Sequence, residues 1–116
     1  MTPLTVSVRQ RSGVDLVCLS GELDRGTLGQ LATALRPPLD APRPRIVVDV
    51  AGLRFCDSRG VRGLMEGQRQ AEGAGGGLRL IGVRGTMARL LTVAHLVDRF
   101  PPYDSLEHAS RWAATG

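Results

Sequence analysis

The sequence predicts a single-domain α/β fold, with a mixed, mainly parallel sheet of about five strands and about four helices. The chain opens with two alternating apolar segments around a Ser-Gly turn signal, a pattern typical of a β-hairpin. After the hairpin, short β-branched segments alternate with segments whose apolar residues recur every three or four positions. That alternation favours parallel strands joined by right-handed helical crossovers. A chain of 116 residues can bury a core of its own.

The hairpin consists of two predicted strands. In the first, Leu4 to Arg9, apolar and polar residues alternate, so one face is expected to be buried. Ser12-Gly13 is the turn, and Val14 to Leu19 forms the second strand.

The first helix follows the segment Gly21-Glu22-Leu23-Asp24, which leaves the second strand. Thr27 is a candidate N-cap, and Pro37-Pro38 is predicted to stop the helix. Its apolar residues recur at three-and-four spacing, which predicts one common face; they are Leu28, Leu31, Ala32 and Leu35.

The central strand is predicted over Ile46–Val50, followed by a turn at Ala51-Gly52 and by Leu53 and Phe55 at period-2 spacing. A second helix runs from Ser58 to about Glu72, and the glycines of Gly73–Gly77 end it.

The last third of the chain predicts two further strands and two further helices. The strands are Leu78–Val83 and Val97–Phe100. Thr86 is a candidate cap for the third helix, whose buried face carries Met87, Leu90, Leu91 and Ala94. Asp104 and Glu107 stand at capping-box spacing before a final helix with Leu106, Ala109 and Trp112 or Ala113.

Charge and composition exclude several function classes. The net charge is +4 and every cationic side chain is an arginine, but the arginines are scattered and aromatic residues make up only 3% of the chain. A solvated basic surface fits this better than direct nucleic-acid binding, and an acidic protein partner is an alternative. No apolar run reaches the ~20 residues of a membrane span, and the N-terminus lacks a secretory pattern, so we expect a cytoplasmic protein without a membrane partner.

The reactive residue types form no recognisable catalytic or metal site. Cys18 and Cys56 lack metal-ligand spacing and are expected to pack as small hydrophobes rather than to form a disulfide. His95 and His108 belong to no triad signature. We therefore expect no enzymatic activity, no metal and no cofactor.

Ser58 lies where the central strand passes into the second helix. Backbone N–H groups and the helix dipole at such a position favour an anion, so Ser58 is either a helix cap or a phosphate acceptor. Spacing alone does not separate the two roles. Gly60 and Gly63 near the start of this helix indicate a close approach to a strand or to a partner, because helix-interior glycine costs roughly 1 kcal/mol against alanine. Glu22 and Asp24 also follow a strand, so they are either a solvated loop or part of one recognition surface with Ser58.

In these residues the chain resembles a STAS domain, and within that family it resembles the bacterial anti-sigma factor antagonists. The resemblance covers about residues 4–110. It rests on Gly21-Glu22-Leu23-Asp24 after the second strand and on the series Val-Asp-Val…Leu-x-Phe-x-Asp-Ser-x-Gly-Val from Val48 to Val61. The element order β-β-α-β-α-β-α-β-α supports it.

The resemblance implies a phosphorylation-controlled binding module. Such a domain binds an anti-sigma factor, often a serine kinase, and so frees a sigma factor; the kinase phosphorylates the serine that corresponds to Ser58, and a serine phosphatase reverses this. The expected partner-binding residues are Glu22, Asp24, Asp57, Ser58, Arg59, Gly60 and Arg62.

The chain departs from the commonest family pattern at two positions. Arg59 stands where a small residue is usual, and Val61 replaces the usual leucine. A cation at position 59 is expected to pair with a phosphate on Ser58 or to alter the choice of kinase. The alternative function is a STAS module that serves a signalling scaffold or a transporter complex without a phosphorylation cycle.

Overall fold

A computed structural model describes residues 3–112. The elements in chain order are β1 (Thr5–Arg11), β2 (Val14–Leu23), α1 (Leu28–Asp40), β3 (Arg45–Cys56), α2 (Ser58–Gly73), β4 (Gly77–Ile81), α3 (Gly85–Val93) and α4 (Leu106–Ala109). The four strands of these residues form one sheet in the order β1-β2-β3-β4. β1 and β2 are antiparallel, whereas β2, β3 and β4 run parallel. The predicted hairpin, central strand and second helix are confirmed.

Along β2, β3 and β4 the sheet is buried on both faces by alternating side chains, whereas the edge strand β1 is mostly exposed, and Val8 of its predicted buried face is 43% accessible. One face packs against α1, α2 and α3. The most buried residues of this core include Val17, Ile46, Val48 and Leu80 from the sheet and Leu64 from α2. The opposite face holds a smaller cluster of Val14, Leu16, Val47 and Ala109, which α4 covers.

The prediction of a fifth strand over Val97–Phe100 is wrong. This segment forms a turn in which the N–H groups of Arg99 and Phe100 both donate to the carbonyl oxygen of Leu96. The buried side chain of Gln68 fixes it, because its Nε2 donates to the carbonyl oxygen of Arg99 at 2.7 Å and its Oε1 accepts from Arg99 Nε at 2.9 Å. Phe100 is buried as a single anchor and not as part of a strand.

Two predicted helix boundaries also need correction. Pro37 and Pro38 lie inside the last turn of α1, which continues to Asp40. Each of these prolines removes one helical N–H donor, and burial of Pro38 in the core favours the continuation of the helix. α3 begins at Gly85 after the cap position Arg84, so Thr86 is not its cap.

The end of the chain differs from the prediction in length and in its cap, because Ser105, whose side chain accepts from the N–H of His108, and not Asp104, is the N-cap of α4. α4 has only four residues, and Trp112 lies beyond its end. The alternative position Ala113 lies outside the described residues. Trp112 instead stacks on Arg79, whose guanidinium carbon is 3.8 Å from the ring centroid.

The predicted turn at Ala51-Gly52 lies within β3. The register between β2 and β3 shifts between Cys18 and Ser20, so β3 accommodates an extra residue at this point and continues to Cys56. A Cβ on Gly52 would lie 2.7 Å from the carbonyl oxygen of Leu19, so glycine permits the close approach of the two strands. The extension matters because it carries β3 to the start of α2.

Within residues 3–112, none of the helices is sufficiently long and apolar to cross a membrane.

Candidate functional site

The carboxyl ends of β2 and β3 meet at one end of the sheet. Leu23 pairs with Cys56 in the parallel register, and the N–H of Asp57 donates to the carbonyl oxygen of Leu23 at 3.3 Å. The segment that leaves β2 and the first turn of α2 therefore lie side by side. This arrangement brings Glu22 and Asp24 to the same end of the sheet as Ser58.

Asp57 is the N-cap of α2. Its backbone is extended, and its carboxylate oxygen Oδ1 accepts from the N–H groups of Arg59 at 3.0 Å and Gly60 at 2.9 Å. The capping role that the sequence left open for Ser58 thus belongs to the preceding aspartate.

Ser58 occupies the first helical position and is exposed to solvent. Within the described part of the chain, its hydroxyl makes no side-chain hydrogen bond to the protein. Because Asp57 caps the helix, the hydroxyl of Ser58 has no structural task that a chemical modification would disrupt.

The first turn of α2 packs closely on the end of β2. Gly60 is buried, and a Cβ built on it would lie 2.9 Å from Leu23 Cγ and from Cys56 Sγ. A Cβ on Gly63 would lie 2.5 Å from Leu28 Cδ1 in α1. Both glycines therefore serve packing within the domain, which places Gly60 beneath the surface formed by its neighbours.

The two acidic residues after β2 have different environments. The carboxylate of Asp24 accepts from the N–H groups of Gly26 at 2.9 Å and Thr27 at 3.2 Å, and so shapes the loop before α1. Thr27 supports the same loop by donating its hydroxyl to the carbonyl oxygen of Glu22 at 2.8 Å, and its side chain makes no cap hydrogen bond to α1. Asp24 is therefore a loop-forming residue, whereas the half-buried Glu22 lies in register with Phe55.

A groove that the sequence pattern does not predict opens between α2 and α3, directly beside Ser58. Its volume is about 390 Å³, and it is lined by Ser58, Val61, Arg62, Met65, Glu66, Arg69, Leu90, Ala94 and Leu96. The apolar spacing predicts Leu90 and Ala94 on the buried face of α3, yet Leu90 is only half-buried and Ala94 is exposed. Phe55 adds an exposed aromatic ring near the same helix start, with 45% of its surface accessible.

Cys56 lies beneath the cap with its thiol in the core. Burial, and secondarily the negative charge of Asp57, raises the pKa of this thiol to about 12. Cys56 therefore remains a neutral thiol at physiological pH and behaves as a small hydrophobe, and Cys18 is likewise free of a disulfide.

The site can bind, but its chemistry is limited. Asp24 and Asp57 use their carboxylates in local backbone hydrogen bonds, and in the described residues no group of three or more His, Cys, Asp or Glu side chains is placed to hold a metal ion. What remains is an exposed hydroxyl, flanking arginines and a partly apolar groove. This combination suits recognition by a protein partner.

Asp57→Ala is expected to destabilise the domain by about 1–2 kcal/mol, because it leaves two N–H groups at the start of α2 without their acceptor. Urea unfolding at pH 7 measures this. Asp57→Asn is the matched control, because its side-chain oxygen still caps the helix and should restore most of the loss. Equal stability of Asp57→Ala and the unmodified protein would contradict the capping role.

Comparison with known proteins places the chain among domains of one family. Residues 6–101 match the family model described as "Mlab, STAS domain". The fold is similar to a crystal structure of an anti-sigma factor antagonist from Mycobacterium paratuberculosis, with 26% identity, a TM-score of 0.79 and coverage of 91% of this chain and 90% of that one.

Two further solved structures have the same fold at lower identity. An anti-sigma-factor antagonist (STAS) domain protein from Planctomyces limnophilus has 18% identity and a TM-score of 0.78, covering 90% of this chain and 94% of that one. The Bacillus cell fate determinant SpoIIAA in its phosphorylated form has 20% identity and a TM-score of 0.68, covering 89% and 95%. A search of curated proteins found no match.

Proposed function

The chain belongs to the STAS domain family, and from this membership we propose that it is an anti-sigma factor antagonist controlled by phosphorylation of Ser58. In this proposal the unphosphorylated domain binds an anti-sigma factor with serine kinase activity and so releases a sigma factor. The kinase then phosphorylates Ser58, and a serine phosphatase restores the binding form. The similarity to solved anti-sigma factor antagonists supports the general role.

The observation that carries the proposal concerns the hydroxyl of Ser58 at the first position of α2. It is exposed, and among residues 3–112 it makes no side-chain hydrogen bond. A kinase needs an acceptor hydroxyl that its active site can reach without unfolding the substrate. Because Asp57 already caps α2, phosphorylation of Ser58 would not remove a hydrogen bond on which the helix depends.

The proposed docking surface surrounds this hydroxyl. Arg59 and Arg62 are exposed on α2, and Glu22 reaches the surface from β2. Phe55 and the groove between α2 and α3 supply apolar area, which protein interfaces need at their centre. Asp24, Asp57 and Gly60 support the surface by holding its loop and its helix start in place.

Phosphorylation would change this surface far more than the fold. A phosphoserine adds a charge of about −1.5 to −2 at pH 7 and three oxygens that require hydrogen bonds. On an exposed position the charge remains solvated in the free domain. In a complex it would be desolvated beside the carboxylate of Asp57, so binding should weaken.

The domain itself would act as a binding partner and substrate rather than as an enzyme. The similar solved structures from Mycobacterium paratuberculosis and Planctomyces limnophilus are named as anti-sigma factor antagonists, which supports a regulatory role. We propose action in the cytoplasm, where sigma factors and their antagonists meet, without direct contact to nucleic acid.

Titration calorimetry with an anti-sigma kinase from the same organism tests the proposed binding. We expect a saturable complex, weakened about tenfold by Arg62→Glu, because this variant reverses a charge within the proposed surface. Arg36→Glu on α1 is the control for the change in net charge. Absence of a complex, or equal weakening by both variants, would contradict the proposed surface.

A further inference from the structure

We infer that Arg62 captures the phosphate of phosphorylated Ser58 within the same chain, and that this pairing withdraws Arg62 from the docking surface. The inference rests on the proposed phosphorylation of Ser58. It assigns to Arg62 a role in the switch that Arg59, the direct neighbour of the phosphate acceptor, does not have.

Helix geometry places Arg62 over Ser58. The two residues are four positions apart in α2, so they lie on the same face of the helix. Long helical side chains lean toward the N-terminus of their helix, which directs the guanidinium of Arg62 back over the first turn. Both residues line the same groove, which shows that they share one surface.

Arg62 is available for a new partner. It is exposed, and no ion pair or side-chain hydrogen bond engages it among residues 3–112. The other groove-lining arginine, Arg69, already faces Glu66, with Nη1 3.6 Å from Oε1. The facing wall of the groove consists of the uncharged side chains of Leu90, Ala94 and Leu96, so the cations that line the groove come from α2. Of these, Arg62 is nearer to Ser58 along the helix than Arg69 is.

The backbone at the start of α2 cannot fully satisfy the phosphate by itself. Asp57 Oδ1 accepts the N–H groups of Arg59 and Gly60, which would otherwise be available to an anion at this helix start. The carboxylate of Asp57 also repels a second negative group. A phosphate on Ser58 therefore gains more from a mobile guanidinium than from the helix terminus.

Arg59 is less suited to this role in spite of its position. Consecutive residues of an α-helix are separated by about 100° around the axis, so the side chain of Arg59 leaves α2 on a different face from that of Ser58. Arg59 does not line the groove that Ser58 and Arg62 share. The sequence expectation that Arg59 pairs with the phosphate is therefore replaced by Arg62.

The pairing would strengthen the switch in two ways. The phosphate places negative charge at the mouth of the groove, and it also draws away a cation that an acidic group of the docked anti-sigma factor would otherwise meet. An intrachain guanidinium–phosphate pair is a charge-assisted, bidentate contact. Binding is thus reduced by the new charge and by the loss of Arg62 from the surface.

Phosphorus-31 NMR of the full chain with phosphoserine incorporated at position 58 during translation tests the inference. We expect a second phosphate pKa below the ordinary value of about 6, because a nearby cation favours the dianion. Arg62→Gln should raise this pKa by about half a pH unit at low salt, the shift expected of an exposed ion pair. Because salt screens exposed charges, 1 M salt should remove most of the difference.

Two variants with the same loss of charge give the comparison. Arg69→Gln removes a cation that lies about 16 Å along the axis of α2 from Ser58, and Arg59→Gln removes the sequence neighbour of Ser58. Both should shift the phosphate pKa by less than half as much as Arg62→Gln. Arg62→Lys should retain part of the effect, which shows that charge at this position and not a folding defect is responsible.

An unchanged pKa in Arg62→Gln, or an equal or larger shift in Arg59→Gln, would overturn the pairing. Neither kinase nor anti-sigma factor takes part in this measurement. A failure of the kinase to modify Ser58 would therefore count against the proposed function, whereas the titration decides the role of Arg62 alone.

Discussion

Ser58→Asp is expected to weaken binding of the anti-sigma factor by about 100-fold while the melting temperature stays within about 2 °C of that of the unmodified protein. The aspartate places a charge at the centre of the proposed interface, where like charges and desolvation cost several kcal/mol. The same charge at the start of a helix is favourable or neutral for the free domain. Titration calorimetry and thermal unfolding together measure the two effects.

The matched controls separate charge at Ser58 from charge in general. Ser12→Asp adds the same charge in the β1–β2 turn, at the opposite end of β2 from the site, and should leave the affinity unchanged. Ser58→Ala removes the hydroxyl without adding charge and should bind within a few-fold of the unmodified protein. If Ser58→Asp binds the anti-sigma factor as tightly as the unmodified protein does, negative charge at position 58 is not the basis of the switch.

Gly60→Ala is expected to destabilise the domain by about 2 kcal/mol, although alanine is the better helix former. The added Cβ would lie 2.9 Å from Leu23 Cγ and 3.0 Å from the carbonyl oxygen of Leu23, so α2 must move away from β2. Overpacking of this kind costs typically 1–3 kcal/mol. Because Leu23 precedes the loop of the docking surface, partner affinity should also fall.

Gly73→Ala is the matched control at the other end of the same helix. A Cβ at Gly73 would meet nothing within 4 Å, so helix propensity alone should act and stabilise the domain by about 0.5 kcal/mol. Urea unfolding of both variants measures the difference. A stability gain in Gly60→Ala would contradict the close packing of α2 on β2.

Much of the fold follows from local patterns in the sequence. The alternation of Leu4 to Arg9 and the β-branched run Ile46–Val50 belong to strands that tertiary contacts reinforce, and these predictions are confirmed. The prediction of a strand over Val97–Phe100 is wrong because a short apolar run is also compatible with a turn in which a single side chain, here Phe100, is buried. What decides its form is the hydrogen bonding of Gln68, a residue about 30 positions away.

The prediction at Pro37-Pro38 failed for a related reason. Proline lowers helix propensity, but propensity is a weak preference that burial of Pro38 overrides near the end of α1. Local composition could not report that this turn of the helix faces the core.

The site was predictable in position but not in detail. Sequence spacing placed Asp57 and Ser58 at a helix start, yet both residues are good caps, and only the hydrogen bonds to the N–H groups of Arg59 and Gly60 assign that role to Asp57. The groove beside Ser58 arises from the packing of α2 against α3. The apolar spacing of α3 gives Leu90 the same status as Met87 and Leu91, yet only the latter two are buried.

The most direct test of the account is to incubate the protein with a cognate anti-sigma kinase and ATP and to locate the phosphate by mass spectrometry. We expect a single phosphate on Ser58, and none after Ser58→Ala. A phosphate on another residue, or incorporation that persists in Ser58→Ala, would contradict the claim that this hydroxyl is the switch.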